Sequence, residues 1–199
     1  MFYNCTSLTS APALPATTLA NSCYYNMFRE CTSLTTDPAL PATTLADHCY
    51  NNMFLHCTSL TTAPELPATT LAYGCYRDMF DSCTSLTAAP ELPATTLADY
   101  CYAFMFYGCT SLTAAPELPA QTLVDNCYAN MFNRCSRLAS INVSFSAWSS
   151  SYATTWWLYN AGTAATGTKT FTCPAALGTD ETITRGDSAC PEGWTVINT

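Results

Sequence analysis

An α/β solenoid is the fold class this sequence predicts, and three observations predict it. A pattern of 26 residues repeats without insertion or deletion, leucines and cysteines recur at the same places in every copy, and the pattern stops near residue 138. The block Cys5-Thr6-Ser7-Leu8-Thr9 returns at Cys31, Cys57, Cys83 and Cys109, with a degenerate copy at Cys135-Ser136-Arg137-Leu138. A strict period of this length means stacked units, because one unit cannot bury its own apolar face and must use its neighbour as a wall. The expected architecture is a right-handed leucine-rich-repeat solenoid over residues 1–138, closed by a C-terminal capping module over 139–199.

The first element of each unit reads as a short strand, Ser59-Leu60-Thr61-Thr62-Ala63, ended by Pro64, which lacks the N–H that a central ladder requires. The second reads as a short helix from about Leu45 to His56 with Thr44 as its N-cap. Leu45, Cys49, Met53 and Cys57 fall four apart, Ala46, Tyr50 and Phe54 form the next row, and together they make an apolar stripe. Pro38, Leu40 and Pro41 stiffen the connection between the two elements. Stacked strands about 4.8 Å apart place Leu8, Leu34, Leu60, Leu86, Leu112 and Leu138 in one core column.

Beyond Leu138 the text turns to Ser, Thr, Ala and aromatics, and Trp148, Trp156, Trp157 and Trp194 all fall there. An exposed solenoid end needs an apolar cover, and these rings suit that task, although flat indoles also suit the faces of sugars. At the other end Met1-Phe2-Tyr3-Asn4-Cys5 aligns with Met27-Phe28-Arg29-Glu30-Cys31, so the text starts in mid-unit without a cap. Self-association through that uncovered end, or fraying of the first unit, is the expected consequence.

The motif Met53-Phe54-Leu55-His56-Cys57-Thr58-Ser59-Leu60 resembles the BspA-like leucine-rich repeats of host-associated bacteria and their phages, which pair F-x-x-C with C-x-x-L and a strand ending in Pro. The segment from Gly167 to Thr199, with Pro191-Glu192-Gly193-Trp194-Thr195-Val196, resembles the ends of such proteins. The resemblance implies surface adhesion or receptor binding, at a cell surface, in the extracellular space or on a virion.

Composition narrows the function classes. Only six Lys and Arg stand against fourteen Asp and Glu, a formal charge of −8, which disfavours nucleic acid and anionic membrane surfaces. No run approaches the roughly 18 apolar residues of a spanning helix, and Met1 to Ser10 lacks the features of a signal peptide. Thirteen cysteines is an odd number, and eleven sit in repeat columns on the apolar stripe, where a thiol behaves as a small hydrophobe. No C-x-x-C occurs, and His48 and His56 would stand about 12 Å apart along a helix, so no metal is expected. Cys173 and Cys190 lie outside the repeat, where a bridge between them remains open if the compartment is oxidising.

Several patterns resemble chemistry. Leu-Pro-Ala-Thr-Thr lacks the final Gly of a sorting signal and recurs inside the repeat; Arg185-Gly186-Asp187 reads more simply as a turn; Glu65, Glu91 and Glu117 form a carboxylate column that reads as a solvated edge. No nucleophile, histidine and acid recur together and no Gly-rich phosphate loop is present, so neither a catalytic residue nor a cofactor is expected. A binding protein is the expected function, with a structural spacer or assembly element, such as part of a phage fibre, as the alternative.

Six positions per unit escape the repeat, and a helix would place them all on its exposed face, as with Asp47, His48, Asn51, Asn52, Leu55 and His56. Of thirty such positions sixteen are Asn, Asp or Tyr, a palette like that of adaptable binding surfaces. Tyr73, Arg77, Tyr100, Phe104 and Tyr107 concentrate aromatic and cationic surface in the third and fourth units and are the expected ligand-binding residues, with Tyr100 and Phe104 one helical turn apart. The partner would be a protein or glycan on a host or neighbouring cell surface. The strand face, where Ser7, Thr9 and their copies form a hydroxyl array, is the competing surface.

Overall fold

The computed structural model describes residues 2–148, 152–178 and 189–199, so Arg185-Gly186-Asp187 lies outside the described residues. Successive 26-residue units stack in register, an architecture compatible with a repeat solenoid.

The predicted helix at 45–56 does not form. Each such segment is a run of overlapping turns in which alternate N–H groups take different partners. Cys49, Asn51, Met53, Leu55 and Cys57 donate to the carbonyl three residues back, whereas His48, Tyr50, Asn52, Phe54 and His56 donate to Tyr73, Cys75, Arg77, Met79 and Asp81, each 25 residues ahead, at 2.8–3.0 Å. Among the described residues the one helix is α1 (Ala175–Gly178).

Backbone stereochemistry explains the choice. Every fourth residue has positive φ, for example His48 at 54°, Asn52 at 57° and His56 at 61°, which no α-helix tolerates. The spacing of the apolar stripe is also a strict four, and on a helix each four-residue step would rotate the stripe by about 40°. A four-residue coil keeps Cys49, Met53 and Cys57 in line, and its outward N–H groups find carbonyls in the next unit.

The same coil continues past Leu138. Tyr152, Trp156 and Asn160 have φ of 60°, 56° and 58°, and the N–H groups of Tyr128, Asn130, Phe132 and Arg134 reach the carbonyls of Ala153, Thr155, Trp157 and Tyr159. A sixth turn segment therefore stacks on the fifth although its sequence has lost the repeat.

The strands also differ from expectation. A regular parallel sheet is confined to β1 (Ala114–Leu118), β2 (Ser140–Val143), β3 (Thr170–Cys173) and β4 (Thr195–Asn198), ordered β1-β2-β3-β4. β1 spans Pro116 instead of stopping before it, and the β1–β2 register slips between Ala114 and Glu117 around that proline. The earlier units, which stack only on units with the same two prolines, show isolated bridges from Ser10 to Thr36 and Thr44 to Thr70, whereas the fifth unit has those prolines too and forms its strand beside the proline-free β2. The proline-free strands β2, β3 and β4 pair fully.

The core is a set of columns. Leu34, Leu60, Leu86, Leu112 and Leu138 are wholly buried. Phe2, Phe28, Phe54, Phe80, Phe106 and Phe132 stack with centroids 5.6 Å apart. A parallel tyrosine ladder, Tyr24 to Tyr128, steps by 5.7–6.0 Å. Trp157 closes this ladder with its ring 6.4 Å from Tyr128, packs on Phe145, Trp148 and Phe171, and donates from Nε1 to the Ala189 carbonyl at 3.0 Å. Trp157 and Trp194 are buried and Trp148 is half-buried, whereas Trp156 remains exposed. Three indoles thus serve the end of the stack and the fourth faces outward.

Candidate binding surface on the turn face

The residues that vary between units sit on the turn segments, and their composition has a backbone cause. Three of the six occupy the positive-φ places, where Asn, Asp, His and Gly fit with least strain. Five of the twelve Asn and Asp among the variable positions, Asn26, Asn52, Asp78, Asn126 and Asn130, stand at positive φ, so part of the palette that resembles an adaptable binding surface is set by the coil. The six are also not all exposed: Asn51, Leu55, Ala103, Ala129 and Asn133 are buried. A turn coil directs side chains around its axis differently from a helix, and these point inward.

Tyr73, Arg77, Tyr100, Phe104 and Tyr107 nevertheless meet. The Tyr73 ring lies 5.4 Å from Tyr100, the Arg77 guanidinium sits 5.7 Å over Tyr100 and 5.8 Å over Phe104, and Phe104 is 5.9 Å from Tyr107. Tyr100 and Phe104, at φ of 58° and 59°, are joined not by helical pitch but by Arg77 from the preceding unit. Tyr73 is 42% exposed and the other four are half-buried against one another.

Sequence reasoning missed both ends of this strip. His48 meets the edge of Tyr73 at 5.1 Å, and Arg134 lies 5.5 Å over Tyr107. Gly74 makes room for the imidazole, since a Cβ there would stand 2.8 Å from His48 Nδ1. Two units beyond Tyr100, Phe104 and Tyr107, the same columns hold Tyr152, Trp156 and Tyr159, with Trp156 and Tyr159 in edge contact at 4.9 Å. Aligning residues 152–159 to the repeat at an interval of 52 would have shown this second aromatic set.

Charge on this face is arranged in short pairs. Arg77 Nε contacts Asp78 Oδ2 at 3.0 Å. Burial pushes the Asp78 carboxyl up to about 6, against the opposing pull of Arg77. Asp81 is also raised by burial, while the Ser82 hydroxyl donates to it at 2.7 Å and lowers it.

The competing hydroxyl face spends part of its hydrogen-bonding capacity on the stack. Thr35 and Thr87 hydroxyls donate to the carbonyls of Thr9 and Thr61 in the preceding units at 3.1 and 3.3 Å. Glu65, Glu91 and Glu117 are exposed, Glu117 accepting from Asn142 at 3.5 Å, and shallow grooves of about 320 and 440 Å³ run between their proline-flanked ledges. Among the described residues no three His, Cys, Asp or Glu side chains converge to hold a metal, and no helix is long and apolar enough to cross a membrane. Cys173 and Cys190 are both buried, and among the described residues no disulfide joins them.

The turn face therefore offers aromatic rings, guanidinium groups over them and buried amides. In comparisons with known proteins, no family model, no curated protein and no solved structure matches this chain.

Proposed function

We propose that this chain is a non-enzymatic binding module, a surface adhesin or receptor-binding protein of the BspA-like leucine-rich-repeat kind. It recognises a protein or glycan on a host or neighbouring cell surface, through the turn face. The observation that carries this reading is the continuous strip His48, Tyr73, Tyr100, Arg77, Phe104, Tyr107, Arg134, in which rings and guanidinium groups from units two to five hold each other in place. Preorganised Tyr and Arg side chains contribute binding energy at low entropic cost. The duplicate set at Tyr152, Trp156 and Tyr159 extends the same surface along the stack.

Binding to intact cells and to immobilised glycans and matrix proteins tests this reading. Three forms are compared: the wild type, the Tyr100→Asn plus Phe104→Asn double variant, and a Thr9, Thr35 and Thr61 to Ala variant on the hydroxyl face. Loss of binding in the double variant alone supports it. Loss in the threonine variant alone moves the site, and no partner at all favours the spacer role.

A further inference from the structure

Beside the aromatic strip, a cavity of about 410 Å³ opens across three successive units. Ser22 and Tyr25 line it from the first, His48 and Asn51 from the second, Arg77 and Asp78 from the third. Its size falls within the roughly 300–1,000 Å³ of small-molecule sites.

The lining is polar and nearly balanced in charge. One guanidinium and one carboxylate are already paired with each other at 3.0 Å, so neither a phosphate nor a cation meets an uncompensated opposite charge. What remains is the amides of Asn51 and Asn52, an imidazole and two hydroxyls, groups that donate and accept side by side. Asn51 is 5% exposed; its amide nitrogen donates to His48 Nδ1 at 3.1 Å, and its carbonyl oxygen has no partner. A buried acceptor left unmatched is costly, and a sugar hydroxyl that reached it as the side chain shifts toward the cavity would offset that cost. Tyr25, 44% exposed, lines the opening, and Tyr73, 42% exposed, stands edge-on to the His48 that lines it. Flat rings offer faces for the C–H groups of a pyranose, while polar side chains take its hydroxyls.

We infer that this cavity is a monosaccharide subsite, which holds one neutral pyranose of a glycan whose remaining units lie along the Arg77, Tyr100 and Phe104 strip. This deepens the reading of the turn face as a recognition surface and rests on it. Arg77 belongs to both places, lining the cavity and covering the two rings.

The test is a titration of the isotope-labelled full chain with free methyl glycosides of galactose, mannose, glucose and N-acetylglucosamine to tens of millimolar, read by amide NMR. At least one sugar is expected to shift the Asn51 side-chain amide and the backbone of His48 and Asn52 saturably. Asn51→Ala, for which Ala103 and Ala129 are buried precedents in the same column, is expected to weaken that sugar at least tenfold. Asn133→Ala, a matched buried asparagine whose oxygen is also unpartnered but which lies elsewhere, is expected to leave it unchanged. The subsite is overturned if no sugar gives saturable shifts at these residues, if Asn51→Ala binds as well as the wild type, or if inorganic phosphate or calcium occupies the cavity more tightly than any sugar. If the subsite fails while the Tyr100 and Phe104 variant still loses a protein partner, the wider reading stands without it. If the sugar binds at Asn51 and the double variant keeps full partner affinity, the anchors are wrong and the cavity is right.

Discussion

The Cys57 thiol donates to the carbonyl of Phe28, 29 residues earlier, at 3.1 Å, and the contact recurs from Cys83 to Phe54, Cys109 to Phe80 and Cys135 to Phe106. Each thiol fills a small apolar space and also serves a backbone oxygen of the unit below. Among the described residues no cysteine is in a disulfide, and only Cys5 and Cys23 are partly accessible. Burial raises Cys57 to about 12 and Cys83 well above the ordinary thiol range.

Thiol titration should therefore find the buried repeat cysteines unreactive in the native protein and reactive in denaturant, because neither access nor thiolate is available. Since the folded values lie above the unfolded ones, the unfolded chain releases its thiol protons first as pH passes about 9, and stability should fall there. A melting temperature that is flat between pH 8 and 10, or disulfides between units, would count against this ladder.

Asp78 gives a second pH dependence at lower pH. Its carboxyl is raised to about 6, so between about pH 4 and 6 the unfolded chain loses this proton before the folded one does. Stability should decrease through that window and the penalty is complete above it. Asn26, Asn52 and Asn130 occupy the same positive-φ column. Asp78→Asn should thus stabilise by about 1–2 kcal/mol at pH 7, after discounting for the lost Arg77 pair, and by much less at pH 4. Thermal melts of both proteins at the two pH values check this.

Tyr100 and Phe104 should be removable without harm to the fold. A bulky side chain at positive φ costs about 1 kcal/mol, and the Arg77 contact returns about 0.5–1 kcal/mol. Tyr100→Asn and Phe104→Asn trade one against the other, so stability should stay within about 1 kcal/mol. Affinity for a turn-face partner should drop by about 2 kcal/mol or more at a true anchor. Denaturant melts and binding isotherms on the same samples separate the two effects.

Gly74 and Gly167 make a controlled pair. Both have positive φ, but a Cβ at Gly74 meets the His48 ring at 2.8 Å, whereas at Gly167 nothing lies within 4 Å. Gly167→Ala should cost only the backbone strain, about 1 kcal/mol. Gly74→Ala should cost more and shift the His48 resonances. Equal losses would mean that the imidazole is not held where it lies.

Trp157 and Trp156 are neighbours with opposite roles. Trp157 is fully buried on the end of the tyrosine ladder, so Trp157→Ala should destabilise by about 3–5 kcal/mol. Trp156 is 45% exposed, and Trp156→Ala should cost less than about 1 kcal/mol. Chemical denaturation of the two variants decides between capping and surface duty for each indole.

The sequence by itself determined the period and the leucine, cysteine and aromatic columns, because identical units in register place each residue over its copy; it singled out Tyr73, Arg77, Tyr100, Phe104 and Tyr107 but not the contacts that join them. It also held, unread, the sign that the second element is no helix: an apolar spacing of four without the drift of 3.6, and Asn, His, Asp or Gly recurring where φ is positive. Only the tertiary structure decided where the backbone hydrogen bonds go, since half the turn-segment N–H groups find their acceptors 25 residues away, in another unit. It alone revealed the sixth turn segment, whose sequence lost the repeat while its carbonyls kept the register. It also set Arg77 over Tyr100 and Phe104 and opened the cavity across three units, contacts made by the stacking of separate units that no local pattern encodes.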